Sequence, residues 1–112
     1  MAESNTMTAQ QAHDALAHGA VLVDVREPDE WRAGHAPQAR HIPMGDLADQ
    51  AGHLPDGVPL LLICRSGNRS GKAADMLAAM ERDAANVDGG MQAWAAAGLP
   101  VVAEDGSAGR VA

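Results

Sequence analysis

Two short apolar runs constrain the fold of this chain more than any other feature of its sequence. Val21–Val25 and Leu60–Ile63 are almost wholly apolar, without the alternation of a strand that has one face in water. Such runs are typical of strands covered on both faces, which occur in parallel sheets. Helical patterns lie between the predicted strands. We therefore predict an α/β fold with a parallel central sheet of about five strands and helices on both faces.

The remaining elements are predicted from caps, turns and shorter patterns. Thr8 and Gln11 form a capping-box pattern that begins a helix, which Gly19 ends. Pro28 favours the first turn of a second helix, over about Asp29–Ala33. The other predicted helices cover about Asp46–Ala51, Ser70–Arg82 and Met91–Ala97, and the other predicted strands lie at Ile42, at Asn86–Val87 and, along one edge, at Val101–Val102.

The length and composition set the size of the core. The chain has 112 residues, no Phe or Tyr and two Trp, so its core must be built from Val, Leu, Ile, Met and Ala. This length is typical of one compact domain, to which we assign residues 6–102. Residues 103–112 are rich in Gly, Ala and polar residues, so we expect a loose, flexible C-terminal tail.

The acidic composition argues against some classes of partner. A formal net charge of −7 disfavours binding to nucleic acid or to an anionic membrane surface. It does not exclude a small anion, because a short basic loop can attract one locally. The five His residues show no metal-ligand spacing, so we expect neither a metal nor another cofactor.

Two absences in the sequence favour a cytoplasmic location. No apolar run reaches about 18 residues, and the first residues lack the basic and apolar stretches of a secretory signal. Only one cysteine is present, so no internal disulfide can form, and a reducing compartment suits a lone thiol.

A basic, glycine-containing loop follows the second apolar run and begins with the lone cysteine, Cys64. Gly67 and Asn68 tolerate positive φ, so successive N–H groups of the loop can turn inward as a cradle. A helix predicted to begin near Ser70 adds the positive end of its dipole. These features favour the thiolate of Cys64, a nucleophile activated without a histidine base. Formal positive charge is added by Arg65, Arg69 and Lys72.

Other roles fit this loop less well. A lone cysteine is often a buried structural residue, but the glycine, the arginines and the helix start argue against that role here. A nucleotide-binding P-loop would need Gly at position 66 and Ser or Thr at position 73, where this chain has Ser66 and Ala73. A cysteine phosphatase has arginine six positions after the cysteine, and here that position is Ser70, with Arg69 one place earlier.

Four blocks of the chain resemble the single-domain rhodanese, or thiosulfate sulfurtransferase-like, family in order and spacing. The blocks are Val21–Trp31, Gly34–Pro37 with His41–Pro43, Leu62–Ser70 and Val87–Trp94, and the resemblance covers about residues 6 to 102. It implies a parallel α/β sheet with helices on both faces and a six-residue active loop that starts at the cysteine. Where the family often has Gly-His-Ile-Pro-Gly-Ala, this chain has Ala36 and Gln38, so a packing residue is smaller and a turn glycine is missing.

The resemblance also implies a reaction. Cys64 would attack the outer sulfur of a small anionic donor such as thiosulfate, release sulfite and hold the sulfur as a persulfide. The sulfur would then pass to cyanide or to a thiol, which can belong to a protein. Loop N–H groups would stabilise the persulfide anion, and two arginines would hold the sulfonate end of the donor. The implied substrate-binding residues are Arg65, Ser66, Gly67, Asn68 and Arg69.

Further residues are given supporting roles by the same resemblance. Asp24 and Arg26 are expected to form a structural pair near the loop. Ser70 is also expected to have a supporting role there. Gly89–Gly90 is expected to allow a tight turn from a strand to a helix near the active face. The two tryptophans, Trp31 and Trp94, are expected to be core anchors.

Two other hypotheses stay open at this point. The domain could be a binding or regulatory module that relays sulfur for a partner without turning over free thiosulfate. It could also be a phosphatase or an arsenate reductase, which the short loop argues against.

Overall fold

A computed structural model describes residues 5–112, which form five strands and five α-helices. The strands are β1 (Asn5–Met7), β2 (Val21–Asp24), β3 (Arg40–His41), β4 (Leu60–Ile63) and β5 (Ala84–Val87). The helices are α1 (Ala9–Leu16), α2 (Pro28–Ala33), α3 (Leu47–Gln50), α4 (Asn68–Ala79) and α5 (Gly90–Ala96), with 3-10 turns at Met44–Asp46 and Ala51–His53. No helix in the described range has the length and hydropathy needed to cross a membrane.

The five strands form one parallel sheet in the order β1-β5-β4-β2-β3. The central strand is β4, in which Ile63 is aligned with Asp24 of β2, and Leu62 with Asn86 of β5. The predicted α/β fold with a parallel five-stranded sheet is therefore confirmed. The carboxyl end of β4, where Cys64 follows, lies between Asp24 and Asn86.

Both faces of the sheet carry a core, which explains the unbroken apolar runs. Leu60 and Leu62 pack on one face with residues of α3 and α4, such as Leu47 and Leu77. Leu61 and Ile63 alternate with them and pack on the other face, against α1 and α5. All four β4 residues are at most 1% exposed. A strand with two dry faces needs apolar side chains at every position.

The predicted edge strand at Val101–Val102 is wrong. Val102 forms only isolated antiparallel bridges, to His35 and to Ala108. The edge of the sheet is instead β1, whose Asn5 is aligned with Ala85 of β5. The sequence Asn-Thr-Met has no strand signal, because an exposed edge strand requires few apolar residues.

Helix starts and lengths differ from the predictions in several places. The capping box is confirmed: the Gln11 N–H donates to Thr8 Oγ1 at 3.1 Å, and the Thr8 N–H donates to Gln11 Oε1 at 2.9 Å. The helix after Cys64 begins at Asn68, two residues before the predicted Ser70. The helix predicted over Asp46–Ala51 is a short α-turn between two 3-10 turns.

Two of the last residues, Gly109 and Arg110, form backbone hydrogen bonds with the body of the domain. The Gly109 N–H donates to the Val101 carbonyl at 3.0 Å, and the Arg110 N–H donates to the Ala33 carbonyl at 2.9 Å. A Cβ on Gly34 would lie 2.2 Å from the Arg110 carbonyl oxygen, so the two backbones meet where a side chain is missing. The composition of the tail gave no sign of this backbone pairing.

The two tryptophans have different environments. Trp94 is fully buried, and its Nε1–H donates to the Pro100 carbonyl at 2.9 Å, as expected of a core anchor. Trp31 is half-buried and lies in neither core cluster. Its ring stacks between His35 and His41, with centroid separations of 3.5 Å and 4.7 Å. The prediction that Trp31 is a core anchor is therefore wrong.

Candidate active site

Cys64 is placed at the carboxyl end of the central strand, where parallel α/β sheets hold their ligands. The loop from Cys64 turns into α4 through Gly67, whose φ of 105° is a left-handed conformation that glycine adopts without a steric cost. Asn68 is the first residue of α4, so the expectation of positive φ holds for Gly67 alone. The residue Cys64 is 1% exposed, so its sulfur lies at the bottom of the loop.

Two hydrogen-bond donors contact the sulfur of Cys64. The Gly67 N–H donates to Sγ at 3.1 Å, and the Ser70 hydroxyl oxygen lies 3.2 Å from Sγ. Burial raises the pKa of the Cys64 thiol, but the Ser70 hydroxyl and the N–H groups of Ser70, Gly67 and Ser66 outweigh it and lower that pKa below its usual value. The site therefore favours a thiolate by hydrogen bonds alone, without a histidine.

The start of α5 holds the outer side of the loop. The Met91 N–H donates to the Cys64 carbonyl at 2.7 Å, and the Gln92 N–H donates to the Arg65 carbonyl at 3.0 Å. Gly90 permits this contact, since a Cβ there would lie 2.4 Å from the Cys64 carbonyl oxygen. With these carbonyls turned toward α5, the following N–H groups are free to face the sulfur.

Arg69 is paired with a carboxylate rather than free. Its Nη1 and Nη2 donate to Oε1 and Oε2 of Glu30 in α2, at 2.7 Å and 2.9 Å. The pair raises the pKa of Arg69 and lowers the pKa of Glu30, each through the hydrogen bonds between them. The charge of the Cys64 thiolate also raises the pKa of Arg69. The other polar residues of the loop are exposed: Arg65, Ser66 and Asn68.

Asp24 and Arg26 form an ion pair that is 0% exposed on both sides, with Nη2 and Oδ2 2.7 Å apart. Arg26 also donates to the Gly34 carbonyl at 2.7 Å, which ties the end of β2 to the end of α2. Neither side chain forms a hydrogen bond with Cys64 in the described structure. The pair lies where the sequence predicted a structural pair.

Residues 5–112 contain no group of three or more His, Cys, Asp or Glu side chains that could hold a metal ion.

The family follows from comparison with known proteins. A model of the rhodanese-like domain matches residues 8–97, which contain the sheet from β2 onward and the whole loop. The chain belongs to the rhodanese-like family. It is 35% identical over 97 residues to the thiosulfate sulfurtransferase GlpE of Ectopseudomonas mendocina, and the alignment covers 86% of this chain and 89% of that protein.

Solved structures of rhodanese-like proteins share the fold. A rhodanese-related protein from Thermoplasma volcanium has a TM-score of 0.83 and 30% identity, over 89% of this chain and 99% of that one. A rhodanese-like domain protein from Staphylococcus aureus has a TM-score of 0.74 and 33% identity, over 80% of this chain and 90% of that one. The rhodanese-like fold therefore accounts for nearly the whole chain.

Three residues of this rhodanese-like site were not predicted as site residues: Glu30, Asn86 and, as a loop contact, Gly90. Asn86 carried a signal, because it is a polar residue in the otherwise apolar strand Ala84-Ala85-Asn86-Val87. Glu30 carried none, since an acidic residue in the first turn of a helix is ordinary. Its contact with Arg69 spans 39 positions of the sequence.

Proposed function

We propose that this rhodanese-like domain is a sulfurtransferase that moves sulfane sulfur from thiosulfate or a similar donor to a thiol or cyanide acceptor through a persulfide on Cys64. The observation that carries this proposal is the buried Sγ at the end of β4, which receives hydrogen bonds from Gly67 and Ser70. The likeness to a thiosulfate sulfurtransferase over most of both chains supports it.

The first step loads the protein. The Cys64 thiolate attacks the outer sulfur of thiosulfate with its electron pair and forms a new S–S bond. The S–S bond of thiosulfate breaks, and its electron pair leaves with sulfite. The product is a persulfide anion on Cys64, and the total charge is unchanged. The loop N–H groups face the region where this anion forms, as the donors of an oxyanion hole do.

The second step unloads it. An acceptor thiolate or cyanide attacks the outer sulfur, the persulfide S–S bond breaks, and its electron pair returns to Sγ of Cys64. Arg65 is exposed and Arg69 is partly exposed, so both can attract an anionic donor into the loop. Ser66 and Asn68 line the exposed side of the same loop.

The proposal includes the setting of the reaction. Residues 6–102 would form the working domain, in the cytoplasm, where a lone thiol stays reduced. The acceptor would be a small thiol or a protein thiol, and neither nucleic acid nor a membrane surface would take part, given the net charge of −7.

Exposure to thiosulfate is expected to add one sulfur atom to the protein. The lowered pKa of the Cys64 thiol raises the fraction of thiolate above that of an ordinary cysteine, which favours attack on thiosulfate. Intact-mass measurement before and after treatment with a reductant checks this, because a reductant removes a persulfide sulfur.

Cys64→Ser is the matched control, since it keeps the size of the side chain and loses the nucleophile. It should show no gain in mass and no thiocyanate formation with cyanide. Loading of the Cys64→Ser variant, or no loading of the parent protein by thiosulfate or by a small persulfide, would count against the proposal.

A second candidate is a relay module that takes sulfur from a protein or small persulfide and turns over thiosulfate poorly. The ion pair of Arg69 with Glu30 favours it, because one loop cation is already neutralised before the dianionic donor arrives. A relay module should bind its partner even when Cys64 is replaced by Ser. A thiosulfate enzyme needs no partner.

Glu30→Gln separates the two candidates. Removing the carboxylate charge frees Arg69 for the donor, so KM for thiosulfate should fall about three- to fivefold at low salt, with little change in kcat. Steady-state thiocyanate formation at low and high ionic strength measures this, and the gain should shrink with added salt.

Asp29→Asn is the control for Glu30→Gln. It removes the same charge from the same helix, but Asp29 is 95% exposed and pairs with Arg32. An equal fall in KM for both variants would show a general charge effect rather than release of Arg69.

A further inference from the structure

Asn86 of β5 contacts both residues that donate to the sulfur of Cys64. Its Nδ2–H donates to the Gly67 carbonyl at 3.1 Å, and its Oδ1 accepts from the Ser70 hydroxyl at 2.6 Å. The carbonyl of Gly67 can only accept, so this contact fixes which end of the amide faces Ser70. The acceptor end of Asn86 therefore points at the same hydroxyl that lies 3.2 Å from Sγ.

The Ser70 hydroxyl has a single proton for two acceptors. When Cys64 is a thiol, the chain is complete: the S–H donates to Ser70 Oγ, and the Ser70 O–H donates to Asn86 Oδ1. When Cys64 is a thiolate, its charge draws the hydroxyl proton to Sγ, because charge-assisted hydrogen bonds are the stronger ones. Asn86 Oδ1 then loses its donor. Formation of the thiolate thus breaks the 2.6 Å bond between Ser70 and Asn86.

The hydrogen bond from the Asn86 Nδ2–H to the Gly67 carbonyl is less critical for the loop. The Gly67 carbonyl also accepts the Gly71 N–H at 3.1 Å, and the loop is held separately by the Met91 N–H on the Cys64 carbonyl. Ser70 itself is fixed by its place in α4. The loop therefore keeps its shape without Asn86, whereas the Ser70 proton has no other competing acceptor among the contacts of the described residues.

We propose that Asn86 is a positioning residue that holds the Ser70 proton away from the sulfur unless Cys64 is a thiolate. The inference extends to the protein that carries a persulfide on Cys64, and this part of it rests on the proposed function. In a persulfide the charge lies on the outer sulfur, and the inner sulfur is a weak acceptor, so the Ser70 proton returns to Asn86. Asn86 thereby disfavours the empty thiolate relative to both the thiol and the persulfide, and it biases the domain toward the sulfur-loaded state.

Charged groups around the site do not replace this effect. On α4, Arg69 is paired with Glu30 of α2, and after β2 the buried Asp24 is paired with Arg26. The start of α5 contributes backbone N–H groups only. Arg65 and Asp88 are exposed at the ends of β4 and β5. None of these side chains forms a hydrogen bond with Sγ or with Ser70 Oγ in the described structure.

The test measures the rate of alkylation of Cys64 by iodoacetamide against pH, which requires no sulfur transfer. Asn86→Ala should raise the rate about fivefold on the acidic side of the profile, because Ser70 can then donate to the thiolate without losing a bond. Asn86→Asp keeps an acceptor for Ser70 and adds negative charge, so it should lower the rate by a similar factor. A loosened loop would slow both variants.

The decisive test measures the effect of Asn86→Ala in a protein that also carries Ser70→Ala. With the hydroxyl gone, adding Asn86→Ala should leave the alkylation profile unchanged. The inference is overturned if Asn86→Ala slows alkylation or leaves it unchanged, or if its effect is equally large in the Ser70→Ala background.

Loading is measured separately, as the fraction of persulfide at a fixed ratio of thiosulfate to sulfite. Asn86→Ala should lower that fraction about fivefold at a pH above the pKa of the Cys64 thiol, where the empty protein is a thiolate and loading is far from complete. An unchanged or larger fraction would overturn the extension to the persulfide. A parent protein that never loads would contradict the proposed function, while the alkylation profiles would still decide the role of Asn86.

Discussion

Replacing Gly90 with alanine is expected to lower the rate of sulfur transfer at least about 100-fold. The added Cβ would lie 2.4 Å from the Cys64 carbonyl oxygen and 2.7 Å from the Arg65 carbonyl carbon, so the backbone of the loop would have to move. Gly90 also has a φ of 56°, which costs an alanine about 1–2 kcal/mol. The substitution therefore acts on the backbone that positions the nucleophile, without touching a reacting atom.

The size of the effect follows from the short contacts at the sulfur. The Gly67 N–H and the Ser70 hydroxyl meet Sγ at 3.1 Å and 3.2 Å, and a shift of about 1 Å would remove such hydrogen bonds. The pKa of the Cys64 thiol would then rise, because burial opposes the thiolate and the donors no longer offset it. The thiolate fraction and the orientation of the sulfur would fall together.

Gly98→Ala is the control for Gly90→Ala. Gly98 also has positive φ, at 77°, but an added Cβ there meets nothing within 4 Å. Both variants should lose stability, by about 2–4 kcal/mol for Gly90→Ala and about 1–2 kcal/mol for Gly98→Ala. Denaturant unfolding and kcat/KM measure the two effects. If Gly90→Ala transfers sulfur as fast as Gly98→Ala, contact between α5 and the loop is not what positions Cys64.

The parts of the fold that the sequence predicts are those fixed by local patterns. The runs Val21–Val25 and Leu60–Ile63 predict buried strands because every side chain of such a strand must be apolar. β1 escapes prediction because an edge strand is stabilised mainly by its backbone bonds to β5, which any residues can form. The docking of Gly109 and Arg110 escapes for the same reason, since backbone contacts leave no side-chain pattern.

The residues of the site also fall into two groups, those that local sequence patterns predict and those that the fold brings to the loop. Cys64 and Gly67 are predictable because a cysteine, a glycine and a helix start follow one another along the chain. Asn86 and Glu30 reach the loop from another strand and another helix, and only the order of the strands brings them there. The sequence thus predicts the proposed nucleophile, Cys64. Asn86, which accepts the Ser70 proton, and Glu30, which pairs with Arg69, are brought to the loop only by the fold.

Removing the charge of Arg26 should destabilise the protein far more than removing the charge of an exposed arginine. Asp24 and Arg26 are both 0% exposed, so Arg26→Met leaves a buried carboxylate without its partner. Breaking a buried ion pair from one side costs about 3–5 kcal/mol.

The double variant Asp24→Leu with Arg26→Met should recover much of that stability, because apolar residues can replace both members of a buried pair at little cost. Arg26 makes recovery easier, since its Nη1 is buried without a hydrogen-bond partner in residues 5–112 and is removed as well. Arg32→Met, at a side chain 58% exposed, should change the unfolding free energy little. Denaturant midpoints at neutral pH measure all three. An Arg26→Met loss no larger than that of Arg32→Met would show that the pair contributes nothing to holding β2 beside the loop.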